Sequence, residues 1–357
     1  MQLFFDEAQL SHQPQQFMVA GRLVQPFEVP ERAARLAQRL GDAGLQRGIV
    51  AQASRTALER VHTPAYLDFL ETAYARFSTL ANAGPELFPN VHPHISARAD
   101  GAARPAPRTT HVMGQAGWYM GDLACALGPG TWEAVRASAS TALAGADALM
   151  ASADTPRAGA REAFALCRPP GHHAYADRAS GFCFLNNAAI AAAHLRTAFE
   201  RVAIIDFDTH HGDGTQAIFY ADARVFYGSV HTDPTAYYPF FAGYADERGH
   251  GDAHGTTRNL PLPEGAGDDA FIEANQALIA DVKAFSADAV ILSAGWDAHV
   301  QDPLSKLTVS TAGFERLGAL YGALALPTLI VQEGGYALDA IETIAPAFIN
   351  AYQHTRA

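Results

Sequence analysis

The chain has 357 residues, of which 49% are hydrophobic and 17% charged, a composition that excludes a disordered, collagen-like or coiled-coil protein. Its net charge of −12, from 25 basic and 37 acidic residues, argues against a nucleic-acid partner, because nucleic-acid-binding proteins present basic patches. No apolar run in the sequence reaches the roughly 18 residues that a membrane span needs. We therefore expect a globular protein with neither a membrane nor a nucleic acid as partner.

The N-terminal segment and the cysteines favour a cytoplasmic location. The segment MQLFFDEAQLSHQ has no basic residues before its short apolar stretch, so a secretory signal is not expected. The three cysteines, Cys125, Cys167 and Cys183, are odd in number and far apart. This spacing predicts free thiols in a reducing compartment.

The first third of the chain is predicted to be mainly helical. The segments PERAARLAQRL (30–40) and PAYLDFLETAYARF (64–77) both open on proline, which is favoured in the first turn of a helix. Residues 82–118 are rich in proline, glycine and arginine and lack periodicity, so we interpret them as a long loop insertion. Because no interdomain linker follows, we expect a single domain spanning 1–357. A helix resumes within GPGTWEAVRASASTALAGADAL (128–149).

From about residue 130 onward, apolar runs typical of strands alternate with segments that are apolar at helical spacing. The strand candidates are nearly continuous in Val, Ile, Leu and Phe, as expected for strands covered on both faces. The alternation predicts an α/β fold with a parallel sheet and with ligands beyond the carboxyl ends of its strands. The predicted strands are 163–167, 201–208, 224–231, 288–295 and 327–332, and the predicted helices between them are 185–199, 268–285 and 311–324.

Three side chains that bind metals in many proteins follow the apolar part of AIIDFDTHHGDGTQ. Because side chains alternate along a strand, Asp206, Asp208 and His210 share one face. Two carboxylates and an imidazole that converge there cost desolvation free energy unless they are paired. A divalent cation explains them, and Asp with His suits zinc or another transition ion. The alternative is a polar turn in which Asp206 and Asp208 cap the next helix.

Two adjacent histidines follow another predicted strand. In CRPPGHHAY, Cys167 ends the strand, Arg-Pro-Pro-Gly forces an irregular loop, and His172 and His173 come next. Two surface histidines are the ordinary alternative. Their place at the same end of the sheet as Asp208 favours a proton acceptor instead, because the unperturbed pKa of histidine is about 6.5.

Two further strand ends supply the remaining parts of a hydrolytic site. Asp297, in LSAGWDAHVQDP, is a candidate third ligand that leaves an open position for water, as in catalytic zinc sites. His299 competes with Asp297 for that role, and Asp302 is a further carboxylate nearby. In VQEGGYAL, a double glycine allows a tight turn that presents Tyr336, whose phenol can donate to an oxyanion. A buried core tyrosine is the alternative.

The motifs RPPGHHA, GFCFLNN, DFDTHHGDGTQ, SAGWDAHVQDP and EGGY, in this order, resemble the signatures of the zinc-dependent histone deacetylase superfamily. They are most similar to its bacterial acetylpolyamine amidohydrolase branch, and the resemblance covers nearly the whole chain. It implies the arginase/deacetylase α/β fold, with a central, mostly parallel eight-stranded sheet flanked by helices. It also implies removal of an acetyl group from a small N-acetylated amine, most of all an acetylpolyamine, by attack of metal-activated water. The alternatives are an acetyl-lysine protein deacetylase, a binuclear manganese ureohydrolase and a non-catalytic acyl-binding module.

The resemblance implies roles for individual residues. The implied cofactors are zinc, with ferrous iron as the alternative, and a structural potassium or sodium ion. The implied catalytic residues are His172, His173, Asp206, Asp213 and Tyr336. The implied ligands of the catalytic metal are Asp208, His210 and Asp297, and the implied walls of a substrate tunnel are Gly181, Phe182 and Tyr238. The implied monovalent-cation site is formed by the backbone around Asp206, Asp208 and His210 with Ser229 and Val230.

The substrate entrance differs from what the resemblance implies. In the polyamine branch, the long loop forms a dimer interface and carries acidic groups for the distal ammonium, so we expect a homodimer through 82–118. Residues 101–121 contain no Asp or Glu, however, and Met113 stands where an acidic residue is expected. Arg104 and Arg108 add positive charge there. An apolar entrance is predicted instead, formed by Trp118, Tyr119 and Met120.

Overall fold

The computed structural model describes residues 1–93, 106–151 and 162–356. Its strands are β1 (Gln2–Phe4), β2 (Phe17–Val19), β3 (Arg22–Val24), β4 (Gln46–Arg47), β5 (Glu162–Ala165), β6 (Val202–Asp206), β7 (Val225–Thr232), β8 (Thr257–Leu262), β9 (Ala289–Ala294) and β10 (Thr328–Gln332). Eight of them form one sheet in the order β4-β1-β5-β10-β9-β6-β7-β8. Every neighbouring pair in this sheet is parallel. The remaining two, β2 and β3, form an antiparallel hairpin.

Helices cover both faces of the sheet. They are α1 (Pro30–Asp42), α2 (Arg55–Glu59), α3 (Pro64–Phe77), α4 (Val112–Tyr119), α5 (Thr131–Ala151), α6 (Asn187–Leu195), α7 (Asp213–Phe219), α8 (Asp268–Phe285), α9 (Thr311–Gly322) and α10 (Leu338–Arg356). One apolar core joins a face of the sheet to α3, α4, α5 and α6, and the other joins the opposite face to α1, α8, α9 and α10. Within the described ranges, no helix is long and apolar enough to cross a membrane.

The predicted α/β class and the eight-stranded sheet are confirmed, and the sheet is wholly parallel. All five predicted strands form as β5, β6, β7, β9 and β10, each differing by at most a few residues at its ends. The strands that the pattern missed are short or at the edge. In β8, for example, TRNLPL contains a proline and is only half-buried, so it lacks the continuous apolar run of a central strand.

The predicted loop 82–118 contains a helix. Helix α4 occupies the end of the loop, and its glycines obscure the apolar periodicity in the sequence. Gly117 is required by packing, because a Cβ there would lie 1.9 Å from the carbonyl oxygen of Val91. The middle of the insertion, 94–105, which includes Arg104, lies outside the described residues.

A buried ion network ties the amino-terminal segment to the loop after β5. Glu28 accepts hydrogen bonds from Arg168 at 2.7 and 3.0 Å and from Arg32 at 3.0 Å. All three side chains are at most 2% exposed. Arg32 also donates to the carbonyl oxygens of Gly335 and Glu333, at 2.6 and 2.8 Å. One carboxylate therefore compensates two buried guanidinium groups that fix two loops at the sheet's carboxyl end.

Neutralising Glu28 is expected to destabilise the fold strongly. Glu28→Gln leaves two buried guanidinium groups without a counter-charge, which costs about 3–5 kcal/mol of unfolding free energy. Urea unfolding measures this loss. The matched control is Glu264→Gln, which breaks an exposed pair with Lys306 and should cost less than about 1 kcal/mol. Equal losses in the two variants would contradict the role of the network.

Burial of neutral histidines predicts a loss of stability in acid. Burial lowers the pKa of His12, His62 and His231 to about 4, whereas histidine in the unfolded chain titrates near 6.5. The stabilisation is therefore present above about pH 6.5 and is lost as the pH falls towards 4, by about 2 kcal/mol per histidine between pH 7 and 5. His62→Gln keeps an acceptor for the Asn186 N–H and should reduce the drop in unfolding free energy between these pH values. An unchanged drop would contradict the assignment.

Candidate active site

Three predicted metal ligands meet beyond the ends of β6 and β9. Their ligand atoms all lie within 4.8 Å of one another, and the carboxylates of Asp208 and Asp297 are fully buried. His210 Nδ1 lies 3.0 Å from Asp208 Oδ1 and 3.2 Å from Asp297 Oδ2. The competing candidate, His299, is not in this cluster, because its ring Nε2 lies 3.2 Å from the Thr311 hydroxyl.

Glycines and backbone donors hold the two carboxylates in place. A Cβ on Gly295 would lie 2.1 Å from Asp208 Oδ2, and one on Gly334 would lie 2.3 Å from Asp297 Oδ2. The Gly334 N–H donates to Asp208 at 2.8 Å, and the Thr209 N–H donates to Asp297 at 3.0 Å. Only glycine allows the chain to approach the carboxylates so closely.

The electrostatics of this cluster fit a divalent cation. Burial, together with the neighbouring Asp208, raises the pKa of Asp297 to about 8. Burial alone would lower the pKa of His210, but hydrogen bonds to Asp208 and Asp297 outweigh it and raise that pKa to about 10. Both shifts show that the buried carboxylates favour a positive charge between them, which is the position that a cation would take. Two carboxylates and an imidazole are donors that zinc and ferrous iron both accept.

The tandem histidines each pair with a carboxylate. His172 Nδ1 lies 3.0 Å from Asp206, and His173 Nδ1 lies 2.7 Å from Asp213. Burial and the neighbouring His172 lower the pKa of His173, so its ring is neutral and able to accept a proton. The structure adds Tyr175, whose hydroxyl donates to Asp213 at 2.8 Å. Nothing in the sequence pattern distinguished Tyr175 from an ordinary loop residue.

Glu333 fixes the backbone of the histidine loop. One of its oxygens accepts hydrogen bonds from the Gly171 N–H at 2.7 Å and the His172 N–H at 3.1 Å. The other accepts from the Ser293 hydroxyl at 2.7 Å. Burial raises the pKa of Glu333 to about 7. Glu333 is the first residue of the EGGY motif, and this motif was the sequence signal that could have identified it.

Tyr336 lies at the same end of the sheet with its hydroxyl protonated. Burial raises its pKa well above the usual value, which keeps the phenol a hydrogen-bond donor. The guanidinium carbon of Arg32 lies 4.5 Å from the ring centre, and the ring of Phe182 packs edge-on at 5.7 Å. Asp302 accepts from the Tyr336 N–H at 2.6 Å, so this further carboxylate holds the tyrosine loop.

A cavity of about 660 Å³ leads to these residues, and the predicted tunnel residues Gly181, Phe182 and Tyr238 line it. Gly181 and Phe182 have φ angles of 52° and 68°, a left-handed backbone that is unusual for phenylalanine. One oxygen of Asp122 accepts from the Tyr238 hydroxyl at 2.7 Å and the Gly181 N–H at 2.9 Å. Asp122, which the sequence analysis missed, therefore fixes the tunnel wall.

The residues predicted to form the apolar entrance do not form it. Tyr119 and Met120 are buried, and Tyr119 packs against the Phe69 ring with centroids 5.0 Å apart. Neither they nor Trp118 line the cavity, because α4 turns this face towards the core. The apolar rim is formed instead by strand β2 (Phe17–Val19) of the hairpin and by Phe240 and Phe241.

The residues expected to hold a monovalent cation are neighbours in the sheet. Asp206, at the end of β6, is in register with Ser229 of β7. Val230 follows and is buried, and the Ser229 hydroxyl lies 2.8 Å from His231 Nδ1. Asp208 continues the chain from Asp206 and accepts from the His210 N–H at 2.9 Å.

Comparison with known proteins identifies the family. The histone deacetylase domain matches residues 26–352. The chain is 42% identical over 353 residues to an acetylpolyamine amidohydrolase of Burkholderia pseudomallei, covering 99% of this chain and 98% of that protein. It is 40% identical to acetylpolyamine amidohydrolase 1 of Pseudomonas aeruginosa, covering 99% of each. The crystal structure of an acetylpolyamine aminohydrolase from Burkholderia pseudomallei matches with a TM-score of 0.93 at 41% identity over the full length of both chains.

The chain therefore belongs to the histone deacetylase domain family, and the predicted resemblance is confirmed. Its relatives are hydrolases that act on amide bonds, so the prediction of an enzyme of the deacetylase class is confirmed as well. The arginase/deacetylase fold expected from the sequence is the one that the chain adopts.

Filling the glycine space beside Asp208 is expected to weaken metal binding. Gly295→Ala places a methyl group where the carboxylate lies, so zinc affinity should fall by at least about tenfold. Competition with a chromogenic chelator measures the affinity, and circular dichroism checks the fold. Gly41→Ala is the matched control, because a Cβ there meets open space. Unchanged zinc affinity in Gly295→Ala would contradict the assigned ligand cluster.

Proposed function

We propose that this protein is a zinc-dependent amidohydrolase that removes the acetyl group from small N-acetylated amines, with acetylpolyamines as the first substrate class. The observation that carries the proposal is the convergence of two buried carboxylates and a partly buried imidazole, a neutral His173 and a protonated Tyr336 at one end of an aromatic cavity. The names of the relatives in Burkholderia and Pseudomonas support the substrate class.

Asp208, His210 and Asp297 would hold the catalytic zinc. A zinc ion held there supplies Lewis acidity that lowers the pKa of water and polarises an amide carbonyl. Ferrous iron is the alternative cofactor for the same ligands. A structural potassium or sodium ion is proposed beside it, at the backbone of Asp206, Asp208 and His210 with Ser229 and Val230.

The protein's own residues move the protons. Asp213 holds the Nδ1 proton of His173 at 2.7 Å, which leaves Nε2 free to accept a proton from the attacking water. The same nitrogen then returns the proton to the departing amine. His172, paired with Asp206, adjusts the charge around this transfer. Tyr336 donates a hydrogen bond to the oxyanion that forms on the acetyl carbonyl, and this contact is worth about 3–4 kcal/mol.

A binuclear ureohydrolase is the weaker candidate. His172, Cys183 and Glu333 form a second group of potential ligands, but Glu333 already accepts three hydrogen bonds. Burial raises the pKa of the Cys183 thiol well above its usual value, so the thiol keeps its proton. These features favour a structural role for the second group, and one catalytic metal per chain.

Several features stay predictions. The sequence pattern predicts the single catalytic domain over 1–357, the insertion around 82–118 and a cytoplasmic location, and the resemblance implies a homodimer formed through that insertion. An acetyl-lysine side chain on a protein is a less favoured substrate, since the relatives matched over their full length are named for polyamines.

Steady-state hydrolysis tests the proposal. The zinc-loaded protein should hydrolyse N-acetylputrescine and N-acetylcadaverine, lose activity on chelation, and turn over an acetyl-lysine peptide more slowly. Tyr336→Phe should lower kcat about a hundredfold or more, because it removes the oxyanion donor. Near-normal turnover by Tyr336→Phe would remove Tyr336 from the mechanism. Two tightly bound transition ions per chain would instead favour the ureohydrolase.

A further inference from the structure

A tyrosine hydroxyl lies against the ring nitrogen of His210 that points away from the metal-ligand cluster. The Tyr237 hydroxyl oxygen is 2.8 Å from His210 Nε2. The two rings also stack, with their centres 4.9 Å apart and an angle of 15° between their planes. Both residues line the active-site cavity. The proposed mechanism gives Tyr237 no role, although it touches a proposed metal ligand directly.

The proton of the Tyr237 hydroxyl is directed away from His210. The hydroxyl donates to the carbonyl oxygen of Leu304, and a carbonyl oxygen can only accept. Because a phenol has one O–H, its oxygen acts as an acceptor towards His210. Nε2 of His210 therefore carries a proton and donates it to Tyr237.

The carbonyl group that accepts from Tyr237 is itself held in place. The Leu304 N–H donates to one oxygen of Asp302 at 3.0 Å, and the other oxygen of Asp302 accepts from the Tyr336 N–H at 2.6 Å. Residues 302–304 therefore connect the loop that carries Tyr237 to the loop that carries Tyr336. Since the Leu304 carbonyl group is fixed in this way, the direction of the Tyr237 O–H bond is fixed as well.

The proton on Nε2 decides which nitrogen of His210 is available as a ligand. A neutral imidazole carries one N–H, so a proton held at Nε2 leaves the lone pair on Nδ1. Nδ1 is the atom that lies 3.0 Å from the Asp208 carboxylate and 3.2 Å from the Asp297 carboxylate. The free lone pair therefore faces the position that a cation would take. In known metal sites, a hydrogen bond at the second nitrogen fixes the tautomer and the ring orientation of a histidine ligand.

We propose that Tyr237 is a positioning residue that selects Nδ1 of His210 as the metal ligand. Its hydroxyl keeps the proton on Nε2, and its ring holds the plane of the imidazole. The inference rests on the proposed function, because it concerns the metal site that this function uses. It adds a residue outside the ligand set whose removal changes metal binding.

Zinc affinity, measured by competition with a chromogenic chelator, tests the proposal. Tyr237→Phe keeps the stacked ring and removes the hydroxyl, so zinc affinity should fall about tenfold or more. In a His210→Ala background the same substitution should change zinc affinity by less than about twofold, because Tyr237 acts through the imidazole. The matched control is Tyr244→Phe, which removes a hydroxyl that also donates to a backbone carbonyl oxygen, that of Phe240, at 2.8 Å. This control should leave zinc affinity unchanged.

Nuclear magnetic resonance of the zinc-loaded protein, with nitrogen-15 in its histidines, gives a readout that loop packing alone would not change. The wild type should show a His210 signal with the proton on Nε2 and the metal on Nδ1, and His210→Ala identifies this signal by its loss. In Tyr237→Phe the Nε2–H signal should be lost to exchange with water, because its acceptor is gone. The wild-type signal decides the tautomer even if Tyr237→Phe fails to fold.

The outcomes separate this inference from the proposed function. Unchanged zinc affinity in Tyr237→Phe would overturn the role of Tyr237, as would a wild-type signal with the proton on Nδ1. If zinc binds with the expected differences but no acetylated amine is hydrolysed, the proposed function fails and the role of Tyr237 stands. A wild type that binds no zinc would overturn both.

Discussion

Four fully buried carboxylates at the carboxyl edge of the sheet impose the main constraint on this structure. They lie at or just after the ends of the neighbouring strands β6, β9 and β10, and none of them has exposed surface: Asp206, Asp208, Asp297 and Glu333. Removing a charge from water costs several kcal/mol unless it is paired. Each carboxylate is therefore met by imidazole nitrogens, backbone N–H groups or hydroxyls. A cation held by Asp208, His210 and Asp297 would balance the charge that these donors leave.

The same constraint explains why the amino-terminal segment reaches this edge. Glu28 brings Arg32 and Arg168 together out of water. Arg32 also donates to the carbonyl oxygens of Glu333 and Gly335 and lies over the Tyr336 ring. The positive charge of Arg32, beside the Tyr336 loop, offsets part of the negative charge of the buried carboxylates. The position of the proposed catalytic tyrosine thus depends on a charge network that begins outside the sheet.

The ends of β6, β9 and β10 could be predicted from the sequence, because each of these strands is an apolar run that stops at a polar motif. The residues that hold the site in place could not be predicted in this way. Arg32 lies in PERAARL, where charges alternate with alanine and leucine as on any exposed helix. Glu28 lies just before that helix, between Phe27 and Val29, and both charged residues are buried. Asp122 and Tyr175 lie in loops, where sequence carries no periodicity. Pattern analysis assigns charges to the surface by default, so it misses those that are buried by pairing with each other.

Chemistry and substrate choice lie on different parts of this fold. The groups proposed for proton transfer and metal binding follow the strands, where hydrogen bonds, glycine contacts and burial fix each position within the core. The cavity rim comes from loops and from the β2–β3 hairpin, segments that change without disturbing the core. A substitution on the rim can therefore alter which molecule enters while the groups in the core stay in place. Family membership accordingly fixes the reaction more firmly than it fixes the substrate, and the charge of the rim has to be determined for each chain.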